Sequence, residues 1–142
     1  MERAVTVTQT DAEQNTAIVR EFLEVFSTGD VPGVLDRLDD DATWWVSGKI
    51  EGFAGTKSKE EMGKLLESVV PVYKGGALKI TPLQIVAAGD RVAVEAEGYA
   101  ELTNGCVYNP QSSFFFKLAD GKITEVREYL DTQHAHEIFF VE

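Results

Sequence analysis

Residues 91–131, RVAVEAEGYAELTNGCVYNPQSSFFFKLADGKITEVREYLD, read as three strands joined by two hairpins. Arg91 to Leu102 alternates Val92, Val94 and Ala96 against Ala93, Glu95, Glu97 and Tyr99, the period-2 pattern of a strand. Asn104-Gly105 follows, the dipeptide that supplies the positive φ angles of a two-residue hairpin turn. Cys106 to Leu118 carries Phe114, Phe115 and Phe116, then Ala119-Asp120-Gly121 makes a three-residue turn and Lys122 to Asp131 returns.

Turns fix register, so partners across the sheet can be counted. A two-residue loop at Asn104-Gly105 sets Glu97 against Ser112 and Glu95 against Phe114. A three-residue loop ending at Gly121 sets Ser112 against Glu128 and Phe114 against Val126. Glu97, Ser112 and Glu128 then form one row, with Glu95, Phe114 and Val126 beside it. Two readings are open. On a solvated face these are ordinary surface glutamates; lining a cavity, they make an acid–base site. The count depends on its turns. A two-residue loop at Asp120-Gly121 would send Glu128 to the other face, and a bulge at Pro110 would shift Glu97.

The chain of 142 residues, 44% hydrophobic, is long enough for one domain with a core that needs no disulfide or metal. No apolar run approaches the roughly 20 residues of a membrane helix, and Met1 to Thr10 has no signal-peptide core. The single cysteine, Cys106, excludes an internal disulfide and suits a reducing cytoplasm. A net charge of −11 argues against nucleic acid and anionic membrane as partners, since both need a basic patch.

Residues 1–10 read as a flexible arm and 11–142 as a single domain. Asp11 with Gln14 forms the N-cap of a first helix, bearing Ile18, Val19, Phe22, Leu23, Val25 and Phe26, that Gly29 stops. Asp30 caps a short second helix with Pro32 in its first turn. Asp39-Asp40-Asp41 is a solvated loop, without the ligand spacing of a calcium site. Ala42 to Val46 is a short strand carrying Trp44 and Trp45 on opposite faces. Ser58 and Glu61 box the start of a third helix, with Met62, Leu65, Leu66, Val69 and Tyr73 on its buried side. Ala77 to Ala88 is the first long strand, and the residues after Asp131, with His134 and His136, form a tail folded back on the core. The expected architecture is α+β: three N-terminal helices on a curved antiparallel sheet, closing a cone-shaped pocket.

The motifs Ser27-Thr28-Gly29-Asp30, Asp41-Ala42-Thr43, Asp120-Gly121-Lys122-Ile123 and Arg127-Glu128-Tyr129-Leu130-Asp131 resemble the nuclear transport factor two-like superfamily. Its members include ketosteroid isomerase, limonene epoxide hydrolase and the SnoaL-like polyketide cyclases, and the resemblance runs from about Asn15 to Phe139. It implies the cystatin-like, ketosteroid isomerase-like α+β barrel, no cofactor, and a homodimer through the sheets. The reaction does not follow, because one scaffold hosts many functions. The positions of ketosteroid isomerase's Tyr, Asp base and protonated Asp fall on Phe22, Val46 and Phe114, all apolar, so its mechanism is not expected. For limonene epoxide hydrolase, the water-holding Tyr and Asn fall on Trp44 and Val46, the arginine on Glu95, and the two aspartates on Glu97 and Glu128.

The expected site is therefore catalytic Glu97 and Glu128, with Glu95 as modulator, in a cavity walled by Phe22, Phe26, Trp44, Val46, Ser112, Phe114, Val126 and Leu130. Like charges in apolar surroundings raise one another's pKa, leaving one carboxyl protonated and one ionised, the pair acid–base chemistry uses. No tight ligand spacing supports a metal. Two functions remain: a SnoaL-like, cofactor-independent isomerase, cyclase or hydrolase acting on a small hydrophobic molecule, or a non-catalytic binding or assembly module. An enzyme needs a Glu of raised pKa beside open cavity volume; glutamates paired with Arg or Lys would favour the binder.

Overall fold

The computed structural model describes residues 2–140, with side chains from residue 11 onward. Helix α1, Glu2–Phe26, runs back through the stretch expected to be an arm, so Asp11 lies inside the helix and caps nothing. No Gly or Pro stands before it to stop a helix. Val19, Phe22 and Leu23 give α1 its buried stripe. Gly29 ends it at φ 79°, where a Cβ would lie 2.1 Å from the Gly76 carbonyl oxygen. Only glycine fits that crossing.

Helix α2, Val31–Asp36, is capped as expected: the Asp30 carboxylate accepts from the Gly33 N–H at 3.0 Å. Such a cap contributes about 1 kcal/mol. Strand β1, Leu38–Val46, starts earlier than the sequence suggests and takes in Asp39-Asp40-Asp41 as an irregular stretch. The Asp39 carboxylate accepts from the Asp41 N–H there, a local bond that stands in for the missing ladder. Strand β2, Gly55–Ser58, leads into α3, Lys59–Val69, whose capping box between Ser58 and Glu61 is complete. A single turn of 3-10 helix, Val70–Val72, follows.

Strands β3, Lys79–Ala88, β4, Arg91–Glu101, the two-residue β5, Val107–Tyr108, β6, Gln111–Ala119, and β7, Lys122–Leu130, complete one strongly curled sheet in the order β2-β1-β7-β6-β4-β3, with β5 paired to β4. The sheet is mixed rather than antiparallel throughout, because β1 lies parallel to β7. The tail is a fourth helix, α4, Thr132–Phe139, capped by Asp131. No described helix is long and apolar enough to cross a membrane.

Register departs from the count at both hairpins. Leu102 pairs with Cys106, so the first turn is the three residues Thr103-Asn104-Gly105, and Glu97 faces Gln111 while Glu95 faces Ser113. One residue of slip moves a strand's side chains to the opposite face. The second turn has two residues, Asp120 at φ 51° and Gly121 at φ 80°, with Ala119 paired to Lys122. Alone, this would turn Glu128 outward. Thr124, however, has no partner: the pairs on either side are Leu118–Ile123 and Lys117–Glu125. This bulge, whose hydroxyl donates to the Lys117 carbonyl at 3.1 Å, adds one residue and restores the face. Glu128 ends opposite Phe114, and Val126 opposite Phe116.

Candidate functional site

The concave face of the sheet, α3, α4 and Phe26 of α1 line an open cavity of about 80 Å³. Its deep wall is Val46, Met62, Leu66, Tyr73, Leu78 and Tyr108, all buried. Half-buried Phe26, Leu65, Val69, Leu130, Phe53 and Phe139 make the rim. Phe53, from the β1–β2 loop, meets Phe139 of α4 edge-on at 5.5 Å.

Glu128 is the one carboxylate among the lining residues. β7 lies between β1 and β6, so the Glu128 backbone is flanked by Val46 and Phe114. The Trp44 indole N–H donates to its Oε1 at 3.0 Å. Among the described residues nothing bonds Oε2, and it is not a sealed atom, so it opens on the cavity. Burial raises the Glu128 pKa; the Trp44 bond and the Lys57 charge oppose that rise. Burial conversely lowers Lys57, against the pull of Glu128 and Glu61. Lys57 does not bridge Glu128. Its ammonium donates to the carbonyls of Phe53, Ala54 and Gly55, bracing the loop that carries Phe53.

Tyr73 and Tyr108 sit near the carboxyl. Burial, reinforced by the Glu128 charge, drives both phenols above their ordinary range, so they stay protonated. Their hydroxyls have no protein partner among the described residues and are not sealed off, and both residues line the cavity. In the protonated acid the Trp44 N–H holds Oε1 as the acceptor oxygen, so Oε2 carries the proton inward. The polar residues of the cavity lining are Glu128, Tyr73 and Tyr108, set in an apolar shell.

The expected site is only partly assembled. Glu128 faces inward with Phe26, Val46 and Leu130 along the cavity. Phe22, Trp44, Phe114 and Val126 are on the inner side but packed into the core behind it. Ser112 is buried opposite Leu130 without lining the cavity. Glu95 and Glu97 are misplaced by the sequence reading: both are exposed on the convex face, because the first hairpin turns through three residues. Glu95 accepts from Gln84 at 2.8 Å and Glu97 from Asn109 at 3.3 Å. The inward positions beside them are Ala96 and Gly98, which carry no functional group. Among the described residues no Lys or Arg forms an ion pair with Glu95, Glu97 or Glu128. Arg127 lies on the convex face, its guanidinium 4.0 Å from the Trp45 ring. Tyr73, Tyr108, Lys57, Phe53 and Phe139 were not expected as site residues. Tyr108 was legible, since it shares its parity with Ser112, Phe114 and Phe116 along the inner face.

The model of the SnoaL-like domain matches residues 19–126. The chain belongs to the SnoaL-like domain family. Solved structures of this fold superpose on most of it. Bal32a, from a soil-derived mobile gene cassette, is 25% identical over 91% of this chain and 98% of that one, with a TM-score of 0.78. PrhC from Penicillium brasilianum is 15% identical over 90% and 87%, at 0.80. An M. tuberculosis LEH-like epoxide hydrolase is 19% identical over 91% and 91%, at 0.70. The last two likenesses establish fold and nothing further. No curated protein matches the sequence significantly.

Proposed function

We propose that this SnoaL-like domain is a cofactor-independent acid–base enzyme for a small hydrophobic molecule bearing one oxygen acceptor, with Glu128 as its proton-transferring group. The observation that carries this reading is a carboxyl of raised pKa whose Oε1 is pinned by Trp44 while Oε2 opens on apolar space. A carboxyl held in that state is suited to give and take a proton. Tyr73 and Tyr108 hold the substrate oxygen and stabilise charge that develops on it. With Glu97 on the convex face, the described residues lining the cavity include no second carboxylate to activate water. One group that removes a proton and returns it elsewhere on the same molecule suits isomerisation or cyclisation better than hydrolysis.

A second reading keeps the cavity and drops the chemistry. Its volume, about 80 Å³, is roughly half the ~150 Å³ of an apolar cavity that admits benzene. A bound molecule therefore inserts one end and leaves the rest at the rim. A panel of small enones, β-keto esters and epoxides, assayed with wild type and Glu128→Gln, separates the two. The enzyme reading expects turnover to fall about 10²- to 10⁴-fold in the variant. Equal turnover in both rejects the site, and binding without turnover by wild type selects the binder.

A further inference from the structure

We propose that Lys57 is a positioning residue of this site: a positive charge locked into the β1–β2 loop that eases ionisation of Glu128 without touching it. The sheet register puts it there. Lys57 of β2 lies opposite Trp44 of β1, and Gly55 lies opposite Val46, which in turn flanks Glu128 of β7. Directly paired residues share a face of the sheet. Trp44 and Val46 are buried on the concave side, so the half-buried Lys57 side chain starts inward, beside the indole that holds Glu128. Its ammonium then donates to the carbonyls of Phe53, Ala54 and Gly55, the last two at 3.2 and 3.4 Å. That turns the charge back toward the Gly55–Val46–Glu128 row.

A lysine ammonium has three donors, and the three carbonyls take them all, leaving none for Glu128. The consequence differs from that of a salt bridge. A bridged carboxylate is held as the anion with its lone pairs occupied, which suits a structural pair and not a proton carrier. A charge held at a remove lowers the cost of ionising the carboxyl and leaves Oε2 free. The carbonyls are neutral, so they fix the ammonium without cancelling it. Burial works against the Glu128 carboxylate, and the Trp44 bond and the Lys57 charge both work for it. Glu61 of α3 also pulls on Lys57, while its own carboxylate accepts from the Ser58 N–H at 2.8 Å. Tyr73 and Tyr108 stay neutral, and Asp131 acts on Tyr108. Among the described residues lining the cavity there is no Lys or Arg, and the cation that acts on Glu128 is Lys57. This inference deepens the acid–base reading of Glu128, but its test needs no turnover.

The test reads the Trp44 indole N–H signal of ¹⁵N-labelled protein, which should move as Glu128 titrates and stay still in Glu128→Gln. In Lys57→Met, similar in length and uncharged, the midpoint is expected about one pH unit above wild type, the size of effect a nearby opposite charge has on a carboxyl. Lys57→Arg keeps the charge and should return the midpoint toward wild type. If Lys57 only braces the loop, Lys57→Met lowers the melting temperature and leaves the midpoint in place, which overturns the proposal. An arginine variant that titrates like the methionine one overturns it too. Coupling between two groups is reciprocal, so a second measurement needs no Lys57 variant. Followed by side-chain ¹³C shifts, the Lys57 ammonium should lose its proton at lower pH in Glu128→Gln than in wild type. An unchanged Lys57 titration overturns the proposal even where Lys57→Met fails to fold. Loss of turnover in Glu128→Gln bears on the enzyme reading alone, and neither result decides the other.

Discussion

The two hairpins of the central sheet handle one inserted residue in opposite ways. Between β4 and β6 the extra residue sits in the turn, Thr103-Asn104-Gly105, and both strands keep strict alternation beyond it. Between β6 and β7 the turn is tight and the extra residue is Thr124, bulged within the strand. The first arrangement puts two glutamates on the convex face in bonds with Gln84 and Asn109. The second puts one glutamate on the concave face, against Trp44. Where a hairpin places its spare residue decides whether a carboxylate is solvated or faces the cavity.

The sharpest way to break this contrast is to delete Thr124. The β7 side chains beyond the deletion would exchange faces, turning Val126 and Glu128 out and Arg127 in. Losing the burial of Val126 alone costs about 1.5–3 kcal/mol, and an unpaired buried guanidinium adds to it. A total of about 3 kcal/mol or more is expected, read as a fall in the urea midpoint. An unchanged midpoint would mean the bulge does not set the register.

The half-buried carboxyl of Glu128 should also write itself into the pH dependence of stability. Its pKa is raised by burial, so the folded chain holds a proton that the unfolded chain releases. The stability from this group is complete below the ordinary glutamate range, near about pH 4.3, and is lost as pH rises through the raised value. Glu128→Gln has nothing to ionise and should gain on wild type between pH 4 and pH 8. Every tenfold weakening of the acid on folding corresponds to about 1.4 kcal/mol, or about 3–5 °C in Tm for a chain of this size. Parallel melting profiles across that range would place the carboxyl in water.

The smallest effect is expected on the other hairpin. Glu95→Gln and Glu97→Gln should stay within about 0.5 kcal/mol of wild type and keep full turnover. A hundredfold loss of activity in either would restore the site of three carboxylates expected from the sequence.

Much of the fold was readable because its signals are local. The Asp30 and Ser58 caps, Gly29 and the apolar alternation each act within a few residues. The parallel placement of β1 beside β7 is a contact of high sequence separation and left no local mark. Helix α4 was missed because its eight residues pair two histidines with only a short apolar stripe. The site shows where counting outran pattern. Val92, Val94 and Ala96 are the apolar half of β4 and already assigned Glu95 and Glu97 to solvent. A turn count, backed by an aligned catalytic residue, displaced that stronger signal. Glu128 was placed on the correct face through two errors that cancel, the turn being one residue shorter than assumed and Thr124 restoring it.

The strand carrying Glu128 is laced on both sides, to β1 and to β6, whereas Phe53 and Phe139 hang from a loop and a terminal helix. The cavity works like a vice with one jaw bolted to the bench. Recutting the loose jaw, at two aromatic positions, would reshape the opening while the strand that carries Glu128 keeps its place.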